Sequence, residues 1–286
     1  AAQHMEVARQ RLAEAAEIAE KDEALVKPVL LAETELATRQ GDFKRGLELL
    51  DQLNRIVRAK SDDIEKHRIA LHLAQSHAGV GDRRTALASL EEAEQLLPND
   101  RMALLERTKV RALVDYFTRD FRSGALFSEK ATDMAREMGI GYEVMLNLHN
   151  LGDILVHLDD FPRAYGAIRQ SLALCEESGY DRLGNYNRMF LAFLDGIQGT
   201  VDGEKLLRQG IAYAESKDFT WDVIGGRVLL AGLLHRLGLL DAARAEYERT
   251  RALAIAAGHR LVVDDCDIAL QRLEPTAPAV LSRPAS

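Results

Sequence analysis

A chain of 286 residues, 47% apolar and 6% aromatic with only 6 prolines, is long enough to bury a large core, which excludes disorder for all but its ends. The net charge of −8 is evenly spread: residues 1–143 hold 22 Lys+Arg against 26 Asp+Glu, and residues 144–286 hold 15 against 19. That evenness leaves no basic face for a phosphate backbone, so direct nucleic-acid binding is not expected.

From the N-terminus, Ala1 to Met5 precede a helical pattern in which Ala8, Leu12 and Ala15 form a small, bulky, small triplet on one face. The same three positions return, with a mostly bulky residue in the middle, at Gly46, Leu50 and Leu53, then at Ala86, Leu90 and Ala93, at Gly124, Ser128 and Ala131, at Ala164, Ile168 and Ser171, and at Ala243, Tyr247 and Thr250. Twelve residues before each full copy lies another small residue, giving the series Thr34, Ala74, Ala112, Gly152, Ala192 and Ala231 at intervals of 40, 38, 40, 40 and 39. Between the two stands a turn of Gly-Asp-Phe type, at Gly41-Asp42-Phe43, Gly81-Asp82-Arg83, Arg119-Asp120-Phe121, Asp159-Asp160-Phe161 and Gly238-Leu239-Leu240. In the fifth unit the triplet reads Gly203, Leu207 and Gly210 once one residue is deleted from its turn, and the same deletion explains the interval of 39.

Self-similarity at this period predicts stacked helical hairpins: an all-α, right-handed superhelical solenoid. The expected organisation is a partial repeat, second helix only, over 1–21, six hairpins over 22–260, a capping helix over 261–273 with Asp264, Asp265 and Asp267 toward water, and a Pro-rich tail over 274–286. The pattern at the start reads as a cut made inside a longer protein. Trp221, the single tryptophan, is expected beside Phe219 as a hydrophobic staple at the start of a helix.

The arrangement resembles the tetratricopeptide repeat, whose pattern is carried by Leu148, Leu151-Gly152, Leu155, Asp160-Phe161, Ala164, Ile168 and Ser171. Long units ending in Glu137-Met138-Gly139, Glu177-Ser178-Gly179 and Ala256-Ala257-Gly258 resemble the roughly 40-residue variant of the family. That variant occurs in sensor regions of bacterial maltose-regulator-type activators and of large kinase or ATPase fusions. The second unit departs from it, since Pro98-Asn99-Asp100 ends its second helix early, and the first and third carry Glu33 and Arg111 where a bulky residue is usual.

Chemistry-bearing motifs are absent from the sequence. No phosphate-loop, dinucleotide, zinc-protease, nucleophile-elbow or calcium-loop pattern occurs, and His72/His77 and His149/His157 are not spaced to share a metal. Catalytic, cofactor and metal sites are therefore not expected. Cys175 and Cys266 lie in no CxxC or Cys/His cluster, which points to reduced thiols in a cytoplasmic protein. No apolar run reaches the length that spans a membrane, and no secretory leader is recognisable.

The resemblance implies that first helices line a concave groove. Its contact positions fall here on Tyr116 and Phe117, on Leu146, His149, Asp153, Val156 and His157, and on Tyr186, Met189, Phe193 and Ile197. Tyr116, Phe117 and Ile197 have an equal reading as core, whereas Phe193 and Tyr186 are expected in the groove. More polar groups, Arg39, Arg68, Gln75, Lys109, His235 and Arg236, fall toward the ends. Asn150 has two readings, a ligand-backbone contact or a bridge between hairpins, and the bridge is favoured because no other unit repeats it. Leu31, Glu35, Leu71 and Gln75 occupy the places of the chaperone-tail carboxylate clamp, which disfavours that partner. The expected function is a non-catalytic scaffold that binds a protein or peptide in the groove, as the sensor or interaction segment of a larger bacterial regulator. The alternatives are a small-molecule effector pocket around Tyr116, His149, Asp153 and Phe193, and an oligomerisation arm that would make the protein a homo-oligomer.

Overall fold

The computed structural model describes residues 2–19, 23–39, 41–57 and 62–273. The expected tail over 274–286 and the side chain of Arg39 lie outside the described residues. All described secondary structure is helical. α1 (Ala2–Ala19) is followed by α2 (Glu23–Arg39), α3 (Phe43–Val57), α4 (Asp63–Gly79), α5 (Arg83–Leu96), α6 (Arg101–Phe117) and α7 (Phe121–Glu137). Then come α8 (Gly141–His157), α9 (Phe161–Ser178), α10 (Asp181–Ile197), α11 (Gly203–Glu215), α12 (Thr220–Arg236), α13 (Leu240–Ala256) and α14 (Arg260–Leu273). Consecutive helices pack antiparallel, even-numbered helices from α2 to α14 alternating with odd-numbered ones, and the pairs stack as a right-handed superhelix.

The turn signature has a direct physical basis. Its Asp caps the next helix: Asp42 accepts from the Arg45 amide at 3.1 Å, Asp82 from Thr85 at 3.1 Å and Asp202 from Lys205 at 3.0 Å. The preceding residue ends the earlier helix in the left-handed conformation, with the amide that follows reaching back to the last turn, as Asp82 does to the His77 carbonyl at 2.8 Å. Glycine takes this position at Gly41 (φ 71°), Gly81 (φ 87°) and Gly238 (φ 76°), and in the longer fifth turn at Gly199 (φ 71°), three residues before the cap, whereas Arg119 (φ 64°) and Asp159 (φ 56°) hold it with full side chains.

The repeated small residues are where helices meet. Thr34, Ala74, Ala231, Ala86, Ala164 and Ala243 are all at 0% exposure, and so are the residues seven beyond the second set, Leu53, Ala93, Ala131, Ser171 and Thr250. In the fifth unit Gly203, Leu207 and Gly210 are buried while Arg208 is exposed. The largest cluster of apolar side chains runs from α6 to α14, with separate smaller ones at α4–α6 and α2–α4.

One feature of the architecture is absent from the repeat pattern: the first repeats touch the last. The ring of Trp221, at the start of α12, stacks on His259 with centroids 3.7 Å apart and meets Phe43 edge-on at 6.0 Å. Arg260 donates to the Val80 carbonyl at 3.1 Å and Arg119 pairs with Asp265, while Arg236 of the sixth hairpin pairs with Asp159 of the fourth. Two expectations are corrected here. Trp221 faces the first hairpin rather than only stapling its own helix, and Asp265 turns toward Arg119 with its side chain 15% exposed rather than toward water.

Candidate partner-binding surface

Helix α8 supplies the central stripe of this surface. Glu143, Leu146, Asn150, Asp153 and His157 follow one another at spacings of three and four, which sets them along one face. Both ends of the stripe are tied to α6. Lys109 Nζ lies 2.6 Å from Glu143 Oε2, and the Tyr116 hydroxyl donates to Asp153 Oδ2 at 2.9 Å. His157 Nε2 stands 3.7 Å from Asp153 Oδ1, and its ring lies flat against Phe121 at 4.4 Å and edge-on to Tyr116 at 5.7 Å. Burial, and then the charge of Asp153, push the Tyr116 phenol well above its ordinary value, so it stays a donor.

On the other side α10 and α12 complete the face. Arg182 grips the buried carboxylate of Asp222 with two nitrogens, Nη2 at 2.7 Å and Nε at 3.0 Å, and its guanidinium lies 4.7 Å over Phe219. Tyr186 packs against His149 at 5.0 Å and Phe190 at 5.3 Å. Beneath it, His149 Nδ1 donates to Asn187 Oδ1 at 2.8 Å while Asn187 Nδ2 donates to Ser171 Oγ at 2.9 Å. Burial lowers the His149 pKa and keeps the imidazole neutral, which fixes the proton on Nδ1.

The expected groove residues therefore divide. Tyr116, Leu146, Asn150, Asp153, His157 and Tyr186 are half-buried and share the stripe or its flanks. His149, Met189 and Phe193 are 6%, 1% and 4% exposed, so they belong to the core between hairpins and not to a contact surface. The physical reason lies in α12. A Cβ at Gly226 would stand 2.7 Å from Met189 Sδ, so this glycine lets α12 close on Met189, while Phe193 packs edge-on against Phe161 at 6.2 Å and beside Gly232. Val156 and Ile197 pack on the same core, and Phe117 is held by Phe43 at 5.0 Å. Toward the ends, Arg68 is exposed and Gln75 half-buried, Lys109 and Arg236 are engaged in ion pairs, and His235 meets Tyr247 edge-on at 6.3 Å.

The asparagines also separate. Asn147 donates to the Glu143 carbonyl at 2.8 Å, Asn185 to the Gly210 carbonyl at 3.1 Å, and Asn187 is saturated by His149 and Ser171. Asn150 makes no side-chain hydrogen bond among the described residues, which removes its reading as a bridge. The Tyr186 hydroxyl, set against Gly225, is likewise without a hydrogen-bond partner among them. The best-formed cavities hold about 220 Å³ at the α9–α10 turn and about 200 Å³ between α1, α2 and α3, both away from this stripe. Among the described residues no group of three or more His, Cys, Asp or Glu is placed to hold a metal ion, and no helix is long and apolar enough to cross a membrane.

Acid should weaken this fold by a defined route. Burial lowers His67 and His149 and takes His259, under Trp221, to about 3. A folded value below the unfolded one, about 6.5, means that the unfolded chain takes up protons the folded chain refuses. The stability is complete above pH 6.5 and falls toward pH 3, by about 1.4 kcal/mol per pH unit for His259 alone. Urea midpoints at about pH 7 and about pH 4.5 should show a smaller acid loss in His259→Phe than in the wild type.

No protein-family model matches the chain, and comparison with the curated proteins finds no match either. Solved structures do match. A Rap protein complexed with Competence and Sporulation Factor superposes at a TM-score of 0.63 with 14% identity, over 87% of this chain and 74% of that one. NprR in complex with its cognate peptide NprX gives 0.59 with 14% identity, over 85% and 81%. A signal-transduction ATPase with a tetratricopeptide repeat sensor, from Pyrococcus horikoshii, gives 0.58 with 14% identity, over 96% of this chain but only 44% of that one. At such identities the likeness is one of fold.

Proposed function

The chain has the tetratricopeptide-type helical-repeat fold, and we propose that it is a non-catalytic recognition module that takes an extended peptide, or a segment of a partner protein, along the face built by α6, α8 and α10. The observation that carries this reading is that the half-buried Asn150 amide and Tyr186 hydroxyl are uncommitted, whereas the nearby Asn147, Asn185 and Asn187 are all engaged. An amide presents a donor and an acceptor together, which matches the alternating groups of a peptide backbone. Half-buried Leu146 lies one turn from Asn150 and offers an apolar contact for a side-chain anchor. Asp153 and Glu143 are already tied to α6, so they hold the face in shape before a ligand arrives. That NprR is complexed with a peptide and another similar structure carries its repeats as a sensor supports the same use of the fold here, within a larger cytoplasmic regulator.

The test is selection of binders from a random displayed-peptide library on the immobilised wild-type chain, followed by titration of a selected peptide against variants. Asn150→Ala with Tyr186→Phe should weaken binding about tenfold or more, the equivalent of one to two lost hydrogen bonds, with the helical circular dichroism unchanged. Equal affinity in a well-folded double variant would remove the proposal.

A further inference from the structure

The contact between the first and last repeats joins parts of the chain that no neighbouring-repeat packing brings together: Arg119 and Asp265 are 146 residues apart, Arg260 and Val80 180. From the geometry we infer that this contact is a latch that holds the superhelix closed and can be released. Regulation of the α8 face by the latch rests on the proposed peptide-binding reading; the latch itself does not.

Three observations carry it. The first is backbone conformation. Among the described residues three non-glycine positions have positive φ, Arg119, Asp159 and Asp218. Arg119 and Asp159 stand at turns where the other hairpins place Gly41, Gly81, Gly199 and Gly238. A side chain is disfavoured in this conformation, and these two side chains are the ones that reach across: Arg119 to Asp265 on α14, and Asp159 to Arg236 at the end of α12. Local strain is thus maintained at Arg119, which makes the closure, and at Asp159, which ties the fourth hairpin to the sixth.

The second observation is the chemistry of the contact. Its members are the Arg119–Asp265 ion pair, with side chains 35% and 15% exposed, one hydrogen bond from the exposed Arg260 to a turn carbonyl, and the ring of one indole set against Phe43 and Gly41. The polar part of this contact ends on partly exposed arginines and is screened by salt, and its apolar part is one ring, far less than the continuous apolar packing that joins adjacent hairpins. On this reading the closure opens before the hairpins unfold.

The third is where the contact leads. Phe43 touches Trp221 on one side and Phe117 on the other, Phe117 touches Tyr116 at 5.3 Å, and the Tyr116 hydroxyl holds Asp153 of the α8 stripe. A ligand seated on that stripe presses on the same aromatic row that the latch orders, so occupancy and closure bias one another.

The single tryptophan reports the state directly, because Trp221 is itself part of the latch. The experiment follows its emission, together with small-angle X-ray scattering, from about 50 mM to about 1 M NaCl and without any ligand. Two perturbations are compared with a matched control. Gly41→Ala places a Cβ 1.5 Å from the Trp221 ring at φ +71°, whereas Gly139→Ala introduces the same left-handed strain at φ +69° with nothing within 4 Å. Arg119→Gly with Asp159→Gly deletes both ion pairs while relieving the turns. The wild type should shift its emission to the red and expand as salt rises. Gly41→Ala and the double glycine variant should be red-shifted and expanded already at low salt, with less response to salt. The double variant should keep its helicity and a thermal midpoint no lower than the wild type. If it matches the wild type in emission, radius and salt response, and Gly41→Ala matches Gly139→Ala, the latch is refuted whatever the chain binds.

Discussion

Phe193→Ala is expected to destabilise the chain by about 3–5 kcal/mol, the loss associated with truncating an aromatic side chain in a packed core. Phe193 is 4% exposed, its ring meets Phe161 edge-on at 6.2 Å, and it lies against Gly232 on α12. The residue thus fills a joint between three successive hairpins, and a helix whose partner is already glycine cannot move in cheaply to close the void. Repeats touch chiefly their neighbours, so the damage should spread unevenly: hydrogen exchange should rise first in α8 to α13 and leave α4 and α5 closer to wild type. Tyr186→Phe, on the same helix, removes only an unpartnered hydroxyl and should change the urea midpoint little. A Phe193→Ala chain with a wild-type midpoint would show that the ring faces the groove after all.

That contrast between two residues of α10 shows how much of the surface was readable from sequence. The period orders helix faces because each hairpin packs on the next in the same way, and small residues such as Thr34, Ala74 and Ala231 fall at 0% exposure as the alignment implies. It also puts Leu146, Asn150, Asp153 and His157 on one stripe, since spacings of three and four are a property of the helix alone. It fails at Met189 and Phe193 because burial there depends on residues of other helices, Gly226 against Met189 and Phe161 against Phe193, which meet only when those helices are placed together. Asn150 was misjudged for a related reason. Its bridging role rests on its occurring once, whereas in the structure Asn187 makes the bonds between hairpins, to His149 and Ser171.

The closure was illegible for a deeper reason. A repeat pattern encodes contacts between neighbours, and the contact of Trp221 with Phe43 has no period. Its traces were departures from the pattern: Arg119 and Asp159 in place of turn glycines, and one tryptophan in the chain. Weak copies of a motif are thus informative in themselves when the substituted residue is charged and the backbone resists it.

The α6–α7 turn that carries Arg119 depends on a buried carboxylate, and removing it should be the most damaging single change to a polar group. Asp115 is at 0% exposure and receives Arg83 Nη2 at 3.1 Å, Arg111 Nε at 2.9 Å and Ser123 Oγ at 2.6 Å. Arg83 also holds Asp120 at 2.8 Å, the residue that caps α7, and the Asp115 carbonyl receives the Asp120 amide at 2.8 Å. Asp115→Ala takes away the anion and leaves two guanidiniums facing each other across a void. Breaking a buried pair from one side generally costs 3–5 kcal/mol, and about 3 kcal/mol is expected here because Arg83 and Arg111 are themselves about one-third exposed and can turn to water. Asp115→Asn keeps the shape and part of the hydrogen bonding, so its urea midpoint should fall between those of Asp115→Ala and the wild type. Adding Arg83→Met to Asp115→Ala should cost less than Arg83→Met costs alone, because the partner it would lose is already gone. A loss below about 1 kcal/mol in Asp115→Ala, or strict additivity in that cycle, would mean that the turn is held by its backbone and cap alone, and that the network around Asp115 contributes nothing to presenting Arg119 to α14.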